Sequence, residues 1–138
     1  MKSSGIRAVI TGGVSGLGLS VARRFVADGA PVALFDVNAE QAETAVNELG
    51  ADYARFFETD VTDEQKVSDS VAAAEEYLGG IDVLVNCAGI LGAGRVLGKN
   101  GPMPLDRFQS AVMVNLIGSF NVAKAVADRM QHNAPNDD

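Results

Sequence analysis

The sequence has few of the residues from which disulfides, metal centres and catalytic triads are built. Its 138 residues include one cysteine, Cys87, and one histidine, His132. One cysteine excludes an internal disulfide and suits a reducing compartment, so we expect a cytoplasmic location. One histidine, placed near the end of the last helical pattern, argues against a Ser-His-Asp triad, and no metal site is predicted.

Positive charge is also scarce, since 11 Lys and Arg stand against 18 Asp and Glu. Nucleic acids and anionic membranes need clustered Lys and Arg, so neither is expected as a partner. No long apolar stretch is apparent, which predicts that no helix crosses a membrane, and no signal or transit peptide is visible. The length and a hydrophobic content of 47% predict one globular domain over residues 1–138.

Glycine, by contrast, is concentrated between the first predicted strand and the first predicted helix. The apolar run 8–10 leads into Thr-Gly-Gly-Val-Ser-Gly-Leu-Gly at residues 11–18. Backbone N–H groups and the dipole at a helix N-terminus attract an anion, and glycine lets that anion come close. The spacing of Gly12, Gly16 and Gly18 differs from G-x-G-x-x-G and from an ATPase P-loop. It predicts a phosphate cradle, with a purely structural glycine turn as the alternative.

Apolar spacing divides the chain into four strand–helix units. Strands are predicted at 7–11, 32–35, 54–58 and 83–85, and helices at about 15–28, 38–49, 62–78 and 106–130. The alternation predicts an α/β fold with a parallel sheet, and the more polar strand 54–58 is expected at an edge. The first helix is expected to bury Leu17, Val21, Phe25 and Val26, and the third to bury Val67, Val71, Ala74 and Leu78.

Local signals predict the ends of these elements. Asn38 with Gln41 is predicted to cap the second helix, and Thr62 with Gln65 the third. The glycine-rich segment 92–104 predicts a long, mobile loop. The polar residues 133–138 predict a disordered tail.

Asp36 ends the second strand, 24 residues after Gly12. An acid at this place in a dinucleotide-binding unit accepts hydrogen bonds from the adenosine ribose hydroxyls. A 2′-phosphate would meet a like charge, and Val14, Ser15 and Val37 supply no cation, so NAD(H) is predicted over NADP(H). The alternative is a solvated acid at a strand end.

Two further strand ends carry candidate residues. Asp60-Val61 could hold the adenine amine and face, although a plain loop acid remains equally open. Asn86-Cys87-Ala88-Gly89 ends the fourth strand, where small residues let a cofactor pass over the sheet. Asn86 could tie neighbouring backbone together, and Cys87 is interpreted as a small filler rather than a nucleophile.

Asn115 interrupts the apolar pattern of the last helix. Apolar residues lie on two sides of that helix, and such a helix needs cover on both sides, which we expect a chain of only four βα units to lose in part. A buried amide needs hydrogen-bond partners, because leaving it unsatisfied costs about 1–3 kcal/mol. From the residues alone, an Asn satisfied by backbone and a functional Asn both stay open.

Taken together, these residues resemble the short-chain dehydrogenases/reductases, and within them the type-2 3-hydroxyacyl-CoA dehydrogenase group. The resemblance rests on Thr11-Gly12-x-x-x-Gly16-x-Gly18, Asp36, Asp60-Val61, Asn86-x-Ala88-Gly89 and Asn115, in the family's order over about residues 6–130. It implies a Rossmann-like three-layer α/β/α fold. For the full-length form, it also implies hydride transfer between NAD and a secondary alcohol or ketone, with a 3-hydroxyacyl-CoA as a candidate substrate, in a homo-oligomer.

The resemblance also implies the roles of individual residues. NAD would lie on Gly12, Ser15, Gly16, Leu17 and Gly18, with its ribose on Asp36 and its adenine near Asp60 and Val61. Its nicotinamide side would lie near the stretch from Asn86 to Ile90, which includes Ala88 and Gly89. Asn115 would be the asparagine of the catalytic tetrad, which orders a water in the proton relay.

The sequence departs from the family in the rest of that tetrad. Its tyrosines, Tyr53 and Tyr77, are followed four residues later by Phe57 and Ile81, so neither begins a Tyr-x-x-x-Lys motif. The chain stops where the family's fifth strand is expected, so the fold would be truncated after four βα units. We therefore expect an inactive N-terminal part of a dehydrogenase. The alternative is a non-catalytic module that binds NAD or a protein through helix 106–130.

Overall fold

A four-stranded parallel sheet forms the centre of the computed structural model, which describes residues 5–92 and 94–134. The strands are β1 (Ala8–Thr11), β2 (Val32–Asp36), β3 (Ala54–Glu58) and β4 (Val83–Asn86), in the order β3-β2-β1-β4. Helices α1 (Gly16–Ala27), α2 (Ala39–Leu49) and α3 (Glu64–Leu78) follow the first three strands. The predicted Rossmann-like α/β fold is confirmed, and β3 lies at an edge of this sheet as its polar sequence predicted.

Both faces of the sheet are covered, because successive strand residues point into opposite helical layers. Ile10 and Leu34 pack in a cluster with residues of α1 and α2. Val9 and Phe35 pack in a second cluster with residues of α3 and the last helix. The predicted stripe on α3 is buried at all four positions, Val67, Val71, Ala74 and Leu78.

Two local predictions at helix starts are wrong. Leu17, the second residue of α1, is 80% exposed rather than buried. Asp63, not Thr62, caps α3, since its side chain accepts a hydrogen bond from the Lys66 N–H at 2.9 Å. Thr62 is instead held in a turn by the Asp60 carboxylate. The predicted cap of α2 is confirmed: Asn38 accepts from the Gln41 N–H.

The segment predicted as a loop at 92–104 contains a small hairpin. Strands β5 (Leu97–Gly98) and β6 (Gly101–Pro102) pair antiparallel. The Met103 N–H continues the pairing by donating to the Val96 carbonyl at 2.8 Å. Strands of two residues with glycine and proline carry no apolar alternation, which is why the sequence pattern missed them.

The predicted disordered tail does not begin at Asn133. Its side-chain amide donates to the Ile81 carbonyl at 2.7 Å, which anchors the end of the last helix beside β4. Residues 135–138 lie outside the described residues.

The last helix is continuous from Leu105 to Met130. It consists of α4 (Leu105–Val112), a π-helical segment (Met113–Gly118) and α5 (Ser119–Met130). One side is buried against α3 through Val122 and Val126. The other side is uncovered in the described structure, where six large apolar side chains are 42–68% exposed: Leu105, Phe108, Met113, Leu116, Ile117 and Phe120. We call these six residues the apolar face.

The same helix corrects the statement that no long apolar stretch is present. Its 26 residues include an 18-residue window with a mean hydropathy of at least 1.2, so by length and composition it could cross a membrane. A core helix of a globular protein passes the same test. The length and composition of this helix therefore neither exclude a membrane span nor give evidence for one.

Candidate functional site

A cleft of about 480 Å³ opens at the carboxyl ends of the strands, where parallel α/β sheets bind their ligands. Ten predicted site residues line it: Gly12, Ser15, Gly16, Leu17, Gly18, Asp36, Asp60, Val61, Ala88 and Gly89. Cys87 and Ile90, which belong to the predicted nicotinamide stretch, also line it. Four residues that the sequence analysis did not assign to a binding site complete the wall: Phe35, Val37, Thr59 and Val114. Their only sequence signal is that they neighbour predicted site residues. Asn86 and Asn115 do not belong to the wall.

Gly12, Gly16 and Gly18 of the turn are required for different structural reasons. Gly12 has φ +62°, and a Cβ there would lie 2.9 Å from the backbone of Cys87 and Ala88. A Cβ on Gly18 would overlap the Gly12 carbonyl oxygen. Gly16 has φ +51° but open space where its Cβ would be, so its backbone conformation requires glycine while leaving room beside the turn. Gly12 and Gly18 therefore bring the turn, α1 and the end of β4 together.

The N-terminus of α1 is less neutralised than those of its neighbours. Asn38 and Asp63 cap α2 and α3 with their side chains, and each of these helices has a glutamate in its first turn. In the part of the chain that the structure describes, Ser15 makes no side-chain cap bond to α1, whose first turn contains no acid. The first N–H groups of α1 thus remain available to an anion in the cleft.

Asp36 is positioned by the backbone at the end of β2. Its Oδ1 accepts from the Asn38 N–H at 3.1 Å, and its Oδ2 lies 3.4 Å from the Val14 nitrogen. Each carboxylate oxygen keeps a lone pair for a further donor. The described wall of the cleft includes no Lys or Arg. This arrangement favours ribose hydroxyls over a 2′-phosphate.

Asp60 and Val61 form the wall beyond Asp36. Asp60 Oδ1 accepts from the Thr62 N–H at 2.9 Å and from its hydroxyl at 2.7 Å. Val61 is 7% exposed, and its carbonyl accepts from the buried Asn121 amide at 2.9 Å. Val61 is therefore a fixed apolar surface, while Asp60 already has local partners.

Thr11 is a positioning residue that the sequence analysis left without a role. Its fully buried hydroxyl accepts from the N–H groups of Cys87, at 3.1 Å, and Ala88, at 3.0 Å. These bonds hold the end of β4 against the glycine turn. A hydroxyl residue ending a buried apolar strand is the signal that could have identified it. Asn86 also ties backbone together, since its amide donates to the Ser119 carbonyl at 3.3 Å.

Asn115 binds the backbone of Ile90 with both ends of its amide. Its Oδ1 accepts from the Ile90 N–H at 2.8 Å, and its Nδ2 donates to the Ile90 carbonyl at 3.0 Å. Asn115 lies in the π-helical segment beside Val114, which lines the cleft. Of the two interpretations left open by the residues, the backbone-satisfied Asn is the one found in the described structure. Its role in a proton relay stays a prediction.

Metal chemistry has no candidate among the described residues. Within residues 5–92 and 94–134, no three His, Cys, Asp or Glu side chains come together as a metal site would require. Cys87 is a half-buried free thiol in the cleft wall, and His132 is exposed in the turn after α5.

Residues 7–136 match the family of short chain dehydrogenases. The chain belongs to this family. It is 46% identical over 134 residues to 3-hydroxyacyl-CoA dehydrogenase type-2 of Rattus norvegicus and 42% identical to that of Homo sapiens. Both alignments cover 96% of this chain and 51% of the relative. It is also 39% identical to 2-(R)-hydroxypropyl-CoM dehydrogenase of Xanthobacter autotrophicus, over 89% of this chain and 50% of the relative.

This short-chain dehydrogenase chain spans about half the length of the curated relatives it matches. Every residue that lines the cleft in the described structure lies within the matched residues 7–136. The geometry provides a helix N-terminus without a side-chain cap, a carboxylate with free lone pairs and an apolar wall in one cavity. These are the elements that a dinucleotide requires.

Proposed function

We propose that this chain binds NAD(H) as the cofactor of a dehydrogenase that interconverts a secondary alcohol and a ketone. The observation that carries the proposal is the uncapped, acid-free N-terminus of α1, which opens on a cleft that also holds Asp36. The names of the relatives suggest a 3-hydroxyacyl-CoA as the substrate class. Bound NAD would supply the hydride acceptor and NADH the donor.

The residues of the cleft fit this cofactor in order along its length. The N–H groups of the α1 first turn would bind the pyrophosphate, and the space beside Gly16 admits it. Asp36 would accept from the adenosine ribose, and Val61 would pack against the adenine. Ala88, whose N–H donates to Thr11, and Gly89, which precedes the Ile90 that Asn115 binds, would line the nicotinamide end.

Proton transfer requires an acid/base that these 138 residues do not provide in the family's pattern, because they contain no Tyr-x-x-x-Lys. Asn115 is the tetrad member implied by the resemblance. We therefore propose that this chain by itself binds cofactor without turning over substrate. The expected cytoplasmic location also stays a proposal.

A calorimetric titration with NAD and NADP tests the cofactor assignment. We expect NAD to bind more tightly than NADP, and Asp36→Ala to weaken NAD binding by about tenfold or more, because hydrogen bonds to a charged group are lost. Glu43→Ala, an exposed acid on α2, is the matched control and should bind NAD like the unchanged chain. Equal NAD affinity in the two variants would remove the role given to Asp36. Reduction of NAD with a 3-hydroxyacyl-CoA would contradict the proposed lack of turnover.

A second candidate function is a module that binds another protein through the last helix. The observation that favours it is the apolar face, which is exposed in the described structure. The same face supports a homo-oligomer as the functional assembly. A chain that associates through this face but binds no NAD would favour the module over the dehydrogenase.

A further inference from the structure

The buried side of the last helix lies against the wall of the cleft from behind. Gly118 and Asn121 are both buried and lie three residues apart, so they share this side of the helix. Both lie against Val61, which lines the cleft at the side assigned to the adenine. Among the described residues, neither Gly118 nor Asn121 belongs to the cleft wall. They can therefore affect a ligand only through the residues that they touch.

Gly118 is required because Val61 comes very close to the helix at this point. The φ of −60° and ψ of −44° at Gly118 are ordinary helical values, and alanine is a much better helix former than glycine. A Cβ on Gly118 would overlap Val61 Cγ2 and lie 3.1 Å from Val61 Cβ. The absence of a side chain at residue 118 therefore sets how far the Val61 side chain can retreat from the cleft.

Asn121 holds the backbone of the same valine. Its Nδ2 donates to the Val61 carbonyl at 2.9 Å, across 60 residues of sequence, and Asn121 is only 6% exposed. Lys124, further along the helix, forms an ion pair with Glu64 at the start of α3, but solvent reaches both side chains and screens this pair. The buried amide is therefore the stronger of the two connections between the last helix and the segment that begins α3.

Val61 is thus fixed at both its side chain and its backbone. It is almost fully buried although it lines the cleft, so most of its surface packs against protein. A side chain at residue 118 would push Val61 toward the cleft, and loss of the Asn121 bond would release its carbonyl. A close-packed interior transmits such displacements, because it has little free space to absorb them.

On the basis of the proposed function, in which the adenine of NAD packs against Val61, we propose that Gly118 and Asn121 are positioning residues for the adenine half of the cofactor. Gly118 leaves the depth that the adenine ring needs, and Asn121 keeps the Val61 backbone in the place that gives this depth. The last helix then determines affinity for the base of the cofactor, while the N-terminus of α1 determines affinity for its pyrophosphate.

Calorimetric titration of Gly118→Ala with NAD tests the first of these roles. We expect NAD affinity to fall by about tenfold or more, because the added methyl group overpacks the helix against Val61 and moves Val61 into the space for the adenine. Gly98→Ala is the matched control, since a Cβ there would lie at an ordinary 3.5 Å from the Gly101 carbonyl oxygen. It should bind NAD like the unchanged chain.

A double-mutant cycle separates positioning through Val61 from a general effect on the fold. Val61→Ala removes the methyl groups that Gly118→Ala would strike. In the Val61→Ala background, Gly118→Ala should therefore change NAD affinity by less than about twofold. If Gly118→Ala alone unfolds the chain, as judged by circular dichroism, adding Val61→Ala should restore the fold. Equal losses in the two backgrounds, or failure to restore the fold, would overturn the inference.

Asn121→Leu tests the second role, since leucine has a similar size but no N–H donor for the Val61 carbonyl. We expect NAD affinity to fall by about threefold or more in a chain whose circular dichroism is unchanged. Asn47→Leu makes the same chemical change on the exposed side of α2 and should have no effect on NAD binding.

The outcomes distinguish this inference from the cofactor assignment. NAD binding by the unchanged chain that Gly118→Ala and Asn121→Leu leave intact would overturn the inference and keep the proposed function. An unchanged chain that binds no NAD would contradict the proposed function itself, and the inference with it.

Discussion

Polar groups at the amino end of the central sheet are hydrogen-bonded to one another, whereas several at the carboxyl end remain available to a ligand. At the amino end, the Arg7 guanidinium binds Asp82 through two hydrogen bonds, of 2.6 and 2.8 Å, and the Arg7 N–H adds a third at 3.0 Å. Asn133 closes the same end by donating to the Ile81 carbonyl. At the carboxyl end, the first turn of α1 keeps its N–H groups unpaired by any side chain of the described residues, and Asp36 retains free lone pairs.

This difference separates stability from binding within one small sheet. Satisfied polar groups at the amino end fix β4 to the start of β1, far from the cleft. Available donors and acceptors at the carboxyl end cost little while water reaches them, and a ligand can replace that water. Substitutions at the two ends should therefore change different measured quantities.

The largest expected effect is a loss of stability on substitution of Gly18, where α1 packs closely against the glycine turn. Gly18→Val would push a side chain into the Gly12 carbonyl and separate α1 from the turn. We expect the free energy of unfolding to fall by about 3 kcal/mol or more, with loss of NAD binding. Denaturant unfolding followed by circular dichroism measures this. Gly16→Ala is the control, with a cost of about 1–2 kcal/mol from its positive φ alone. Equal losses in the two variants would show that packing at Gly18 is not special.

A smaller effect is expected at the amino end. Arg7→Met keeps the apolar stem but leaves Asp82, whose side chain is 19% exposed, without its cation. We expect a loss of about 2 kcal/mol in the free energy of unfolding, while NAD affinity is unchanged. Arg23→Met breaks the more exposed pair with Glu48 and should cost less than Arg7→Met, because solvent screens the exposed pair. A fall in NAD affinity with Arg7→Met would contradict the conclusion that the amino end contributes to stability and not to binding.

The smallest effect is a pH dependence at the same pair. Hydrogen bonding from Arg7 lowers the pKa of Asp82 below its ordinary value. A lowered pKa in the folded state gives stability that is present above the unfolded-state pKa, about 3.9, and is lost as the pH falls through the folded-state value. We expect unfolding free energies measured from pH 6 down to pH 3 to fall less steeply in Asp82→Asn than in the unchanged chain. Identical slopes would remove this contribution.

The sequence predicted the parts of the molecule that depend on local periodicity. The stripe on α3 and the continuous apolar β2 follow from spacing alone, and the strand ends identify most of the cleft because parallel strands end at one edge. The separate roles of Gly12 and Gly18 could not be predicted, since the first depends on a contact with Cys87, 75 residues away.

Other features escaped prediction because they depend on competition between neighbours. Thr62 and Asp63 are both good caps, and the Asp60 carboxylate decides between them by binding Thr62. Backbone pairing holds the hairpin at Leu97–Gly98 and Gly101–Pro102, and the amino-acid composition of this segment does not predict that pairing. Arg95 and Lys99 line one cavity together with Arg107, and this grouping depends on the fold rather than on their spacing in the sequence.

The two hydrogen bonds between Asn115 and Ile90 also have a consequence for the length of the chain between them. They join two points that are 25 residues apart and so close a loop from which the hairpin projects. Once the ends of a flexible loop are fixed, each doubling of its length costs only about 0.6 kcal/mol in closure entropy. The hairpin is therefore the segment where residues can be inserted or removed at little cost to the wall of the cleft, because the length of this loop can vary while its two ends stay fixed.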